Sequence, residues 1–120
     1  MNSLLNKKLL DELFEAHKAL TMDDIKNYPE LVQKVDWGLL DYEKFDENFI
    51  EEYKDYIDWQ QVSVHVKLSA KFIRKYADNL YWNLISFYQI FTPEMEKEFE
   101  DRIYWIGFES LNSATYEAGI

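Results

Sequence analysis

Carboxylates are the most concentrated chemical groups in this chain. Asp36, Asp41, Glu43, Asp46, Glu47, Glu51, Glu52 and Asp55 fall within 20 residues that contain only two lysines, Lys44 and Lys54. A second set, Glu94, Glu96, Glu98, Glu100 and Asp101, follows later. Grouped carboxylates can hold a divalent cation, move a proton, or take the place of phosphates against a basic surface. The first two uses need companions that this chain lacks. There is no D-x-D-x-D-G loop, no H-E-x-x-H and no glycine-rich phosphate loop, and glycine occurs only at 38, 107 and 119. His17 and His65 each stand alone, and there is no cysteine. Neither a catalytic site nor a metal or other cofactor is expected.

The third use agrees with the charge. The formal net charge is −10 at pH 7, so nucleic-acid phosphates would repel the domain, and direct nucleic-acid binding is not expected. The charge is also uneven. Lys and Arg against Asp and Glu sum to −1 over 1–34, −6 over 35–56, +2 over 57–79, −3 over 80–102 and −2 over 103–120. The partner-facing residues expected from this pattern are Asp46, Glu47, Glu51, Glu52 and Asp55, with Glu94 and Glu98 second. The plainer account is a solvated face that keeps an aromatic-rich chain in solution. The basic group Lys67, Lys71, Arg74 and Lys75 is expected to pair with the acids of 35–56.

The elements that carry these side chains announce themselves through tryptophan. Trp37, Trp59, Trp82 and Trp105 are 22, 23 and 23 residues apart, and the residues around them align. A constant period of this length marks a repeat protein. An aliphatic residue follows each Trp by three positions in the first three units (Leu40, Val62, Ile85). A capping residue then opens a second segment at Asp46, Ser69 and Thr92, with Pro93 at a first helical position. Phe49, Phe72 and Met95, then Tyr53, Tyr76 and Phe99, occupy matched positions four apart on one helical face. Trp37, Trp59, Trp82, Trp105, Phe49, Phe72, Tyr53 and Tyr76 are the expected core, and Asp55, Asp78 and Asp101 are expected to cap the next helix or to place charge at its start. The unit at 35–56 is one residue short, and Asp41 and Asp46 stand where the later units have serines.

Ahead of the units, Leu5, Leu9, Leu13, Ala16 and Leu20 predict a helix over 3–20. Thr21 and Asp24 predict a capping box, and Pro29 predicts a break near Tyr28. The expected fold is therefore all-α: a small solenoid-like array of short helical hairpins forming a single domain. Residues 1–34 form an N-terminal cap and half-unit, 35–56, 57–79 and 80–102 are repeats, and 103–120 a partial repeat and C-terminal cap. Apolar residues are 48% of the chain and aromatics 18%, which excludes a disordered chain. No apolar run is long enough for a membrane span, and the opening MNSLLNKKLLDELF mixes charges into its leucines, so neither membrane insertion nor a signal peptide is expected. A cytoplasmic location follows.

The pattern W-x-x-[aliphatic]-S…L-S-x-x-F-I-x-x-Y-x-D is fullest at Asp58-Trp59, Val62-Ser63, Leu68-Ser69, Phe72-Ile73, Tyr76 and Asp78. It resembles the short tandem helical repeats of small proteins from bacteriophages and large DNA viruses. The resemblance implies a phage-type origin and a role in host interaction. Inhibition of a host defence enzyme, in the manner of anti-CRISPR or anti-restriction proteins, some of which imitate DNA, would fit it. The expected partner is a host protein with a basic, nucleic-acid-binding surface. The rival expectation is a structural adaptor that pairs with itself as a homodimer or with another chain, and a distant third is an enzyme with an unrecognised carboxylate site.

Overall fold

The computed structural model describes residues 3–106, with side chains from residue 11 onward. Among these residues the fold is all-helical: eight α-helices, two 3₁₀ turns and no strand. The chain divides into two compact units, residues 1–58 and 59–120.

In the first unit, α1 (Ser3–Ala19) leads to α2 (Met22–Asn27) and α3 (Leu31–Lys34). The Thr21–Asp24 capping box forms in both directions, at 2.9 and 3.2 Å. Ile25 is its buried residue, and α2 stops at Tyr28, ahead of Pro29. The described part of α1 differs from its predicted face. Leu13 is 51% exposed and Ala16 is exposed, whereas His17 is buried. The Lys44 ammonium donates to the Lys18 carbonyl at 2.8 Å, placing a cation where the end of a helix favours one.

Trp37 does not open an α-helix. Two 3₁₀ turns, Trp37–Leu39 and Tyr42–Lys44, replace it. Gly38 disfavours helix, and Asp36 and Asp41 each accept a backbone N–H two residues on, from Gly38 at 3.0 Å and Glu43 at 3.2 Å. Asp41 is thus a turn cap and does not stand in for the later serine. Helix α4 (Glu47–Glu52) follows, with Asp46 accepting from the Phe49 N–H at 2.8 Å.

The second unit contains α5 (Trp59–His65), α6 (Ala70–Lys75), α7 (Trp82–Tyr88) and α8 (Pro93–Glu98), with α5 packed on α7. Ser69 caps α6 and Thr92 caps α8, and Pro93 takes the first turn of α8. The Asp78 cap is not formed. Asp78 pairs with Arg102 at 2.8 Å, and α7 is preceded by Tyr81, which makes no side-chain cap.

Aromatic rings join the segments. Trp37 lies 6.3 Å from Phe49 and 5.8 Å from Tyr53, Trp59 lies 6.3 Å from Phe72 and 5.2 Å from Tyr76, and Trp82 lies 5.4 Å from Phe99. The deepest residues are aliphatics and a few rings other than the indoles, however. Leu40, Ile50, Val62, Ile73 and Ile85 are almost wholly buried, as are Phe49, Phe72 and Tyr76. Trp37, Trp59, Trp82 and Tyr53 are half-buried, and Trp105 is 43% exposed. The indoles flank the core, and Trp105 stands outside it. Three of the indoles have a polar task that accounts for their position. The Nε1–H of Trp37 donates to Val32 O (3.0 Å), that of Trp82 to Ala77 O (2.8 Å) and that of Trp105 to Glu100 O (3.3 Å), each five residues back.

Candidate functional site

A single hydrogen bond recurs where one segment meets the next. The residue preceding each Trp has a backbone N–H that no helix uses, and a buried side chain accepts it. Ser63 Oγ accepts from Tyr81 N at 3.0 Å, and Ser86 Oγ accepts from Tyr104 N at 2.8 Å. In the first unit the acceptor for Asp58 N is the Tyr42 hydroxyl at 2.8 Å, and for Asp36 N it is His17 Nε2 at 3.0 Å. Three of the acceptors also bond the backbone beneath them: Ser63 to Trp59 O, Tyr42 to Trp37 O, and His17 through Nδ1 to Leu13 O, all at 2.7–2.8 Å. A carbonyl only accepts and an N–H only donates, so His17 donates through Nδ1 and accepts at Nε2. Burial, helped by the nearby Asp58 and Asp36 carboxylates, holds the Tyr42 hydroxyl protonated far above its ordinary range, against the opposing bond from Asp58 N–H. Gln89 completes this framework: its amide donates to Val66 O at 2.8 Å and accepts from Leu68 N at 3.2 Å.

The acidic residues lie outside this framework. On α4, Asp46 spends one oxygen on its cap, Glu47 and Glu51 are half-buried and one turn apart, and Glu52 and Asp55 are exposed. Glu51 and Glu52 occupy the last turn of α4, the end at which a helix favours cations. The matching turn of α6 holds Arg74 and Lys75 instead. The partly desolvated Tyr53 hydroxyl, beside Glu52, is also shifted upward.

Glu94 is exposed in the first turn of α8. Glu98 is engaged in a two-pronged bond with Arg74, whose Nη2 lies 2.8 Å from Oε1 and whose Nε–H reaches Oε2. This pair holds the Glu98 carboxyl below the usual carboxylate range and raises the guanidinium. Arg74 therefore meets an acid of 80–102, not the acids of 35–56 that its charge suggested.

The second acidic set borders a groove. Pro93, Glu96, Lys97, Glu100, Asp101 and Trp105 line an open groove of about 410 Å³. In the sequence its acids stood out only as a charge run, Pro93 as a helix start and Trp105 as an expected core residue; nothing there brought them together. Among the described residues, no group of three or more His, Asp or Glu is arranged to hold a metal ion, and no helix is long and apolar enough to cross a membrane. Comparison with family models, curated proteins and solved structures yields no match.

Proposed function

We propose that this protein acts by binding and not by chemistry: its acidic surface on α4 engages a basic, nucleic-acid-binding surface of a partner protein and occupies it in place of phosphates. The observation that carries this reading is the placement of Glu51 and Glu52. Negative charge in the last turn of α4 opposes the helix dipole, so local helix stability does not account for it. Carboxylates fixed on a short capped helix lose little freedom when they meet a basic groove, and they accelerate encounter with it. The resemblance to phage repeat proteins supports a host defence or regulatory protein as the target and the host cytoplasm as the place of action.

Reversing Glu47, Glu51 and Glu52 to Lys should abolish capture of the partner from host lysate at low salt while leaving helicity intact; undiminished capture by the triple variant would sink the reading. A second reading is favoured by one specific observation. Phe87, Tyr88, Ile90 and Tyr104 are exposed in the second unit. Such apolar surface suits an adaptor that pairs with itself or with another chain. Sedimentation that stays strictly monomeric at high concentration would count against self-pairing.

A further inference from the structure

We infer that α1 is a dimerisation helix, which pairs antiparallel with the α1 of a second copy of this chain; the inference is independent of the α4 reading. Leu13, Phe14 and His17 are three and four residues apart and share one face of the helix. At His17 that face is closed by the chain itself: the imidazole is buried and accepts from Asp36 N at 3.0 Å. One turn earlier the same face is open. Leu13 is 51% exposed and Phe14 43%, and every residue from Asp11 to Ala16 is exposed. That run goes more than once round a helix, so no side of α1 is buried along it. The Lys18 ammonium lies 5.4 Å from the centroid of the Phe14 ring, but it belongs to the same helix and leaves the ring open. A helix in water draws most of its stability from packing an apolar face, and among the described side chains of α1 only the last turn finds that packing.

The charges of α1 point to the occupant. A net charge of −10 sets two copies against each other, but α1 is neutral, with Lys7, Lys8 and Lys18 against Asp11, Glu12 and Glu15. A second copy can approach here without adding to the repulsion. The signs are also ordered, since Lys7 and Lys8 fall in the first half of the helix and the three acids follow them. Parallel pairing would set like charge against like. Antiparallel pairing about a two-fold axis between Asp11 and Glu12 brings Lys8 of each copy opposite Glu15 of the other, with Leu9 and Leu10 level with Phe14 and Leu13. The match is self-complementary, as a two-fold interface must be. An anionic lipid surface, in contrast, would repel a chain of this charge.

The test is sedimentation velocity of the full chain across the micromolar range. Wild type should dimerise, and Leu13→Glu should weaken the dimer at least about tenfold. The tryptophans all lie outside α1, so an unchanged near-ultraviolet dichroism verifies that the rest of the fold is intact. Lys7→Glu with Lys8→Glu in one chain, and Glu12→Lys with Glu15→Lys in another, should each be monomeric alone and form a mixed dimer when combined. A dimer that survives Leu13→Glu, or charge-reversed chains that fail to combine, would overturn pairing through α1. Dissociation by Ile90→Ser in place of Leu13→Glu would overturn it too, and would move the contact to the apolar surface around Ile90. So would a wild type that stays monomeric at every concentration, whether or not it sediments with phosphatidylcholine vesicles. None of these results bears on the acids of α4.

Discussion

The Tyr42 hydroxyl lies 2.8 Å from the backbone nitrogen of Asp58 and accepts its N–H, as Ser63 Oγ does for the N–H of Tyr81. A phenol reaching from a 3₁₀ turn and an alcohol on an α-helix deliver one oxygen to the same kind of place. The segment at 35–56 is short of a residue and lacks the helix that carries the serine, and the longer side chain closes the distance.

Tyr42→Phe keeps the ring and removes that oxygen, leaving Asp58 N–H without its acceptor. We expect a loss of about 1–3 kcal/mol in urea unfolding, with Ser63→Ala costing a similar amount. A loss well below this range would mean that the joint is not closed by the hydroxyl.

The same residue predicts an alkaline effect. Its hydroxyl is held protonated in the fold by burial, whereas in the unfolded chain it ionises near the ordinary value of about 10. The unfolded state then binds fewer protons, so the stability this group contributes is complete below about pH 10 and falls as pH rises beyond it. Unfolding free energy measured at pH 8 and above pH 10 should converge between wild type and Tyr42→Phe at the higher pH.

His17 serves the same purpose at the end of α1. His17→Ala should accelerate hydrogen exchange at the Asp36 amide, whose N–H now lies 3.0 Å from Nε2. His17→Gln, which offers another acceptor, should restore part of the protection; equal exchange in all three proteins would contradict the assignment.

Much of this chain was legible locally. Thr21, Asp46, Ser69, Thr92 and Pro93 are where a helix start requires them, because a cap is decided within three residues. The joints were not legible, because His17, Tyr42, Ser63 and Ser86 bond to positions 16–19 residues away, beyond any short-range pattern. Asp78 suggested a cap by its place and proved to be half of an ion pair whose other half, Arg102, is 24 residues on. Of the candidate site, the carboxylates could be read as charge, but the groove could not, since it depends on Trp105 remaining outside the core.

The tryptophans should therefore differ in cost. Trp82 is half-buried, hydrogen-bonded to Ala77 O and covered by Arg102, so Trp82→Ala should cost about 2–4 kcal/mol in denaturant unfolding. Trp105→Ala, at an exposed position, should remain within about 1 kcal/mol of wild type. Equal costs would show that the period in sequence is also a period in stability.

The Arg74–Glu98 pair makes an acid-side prediction. Because Arg74 holds the Glu98 carboxyl below its usual range, the contribution of this pair is present above the unfolded value of about 4.3 and is lost as pH falls through the lower folded value. Both side chains are open to solvent, so the effect should be small and should fade in high salt, as read from the pH dependence of unfolding in Glu98→Gln against wild type.

An imidazole, a phenol and two alcohols each catch one amide ahead of a tryptophan. Written as letters, H, Y, S and S have nothing in common; written as atoms, they are one lone pair in one place. A chain descended from this one could exchange all four residues and keep every joint. Kinship among such proteins would then persist in the positions of their acceptors long after it had vanished from their alphabets.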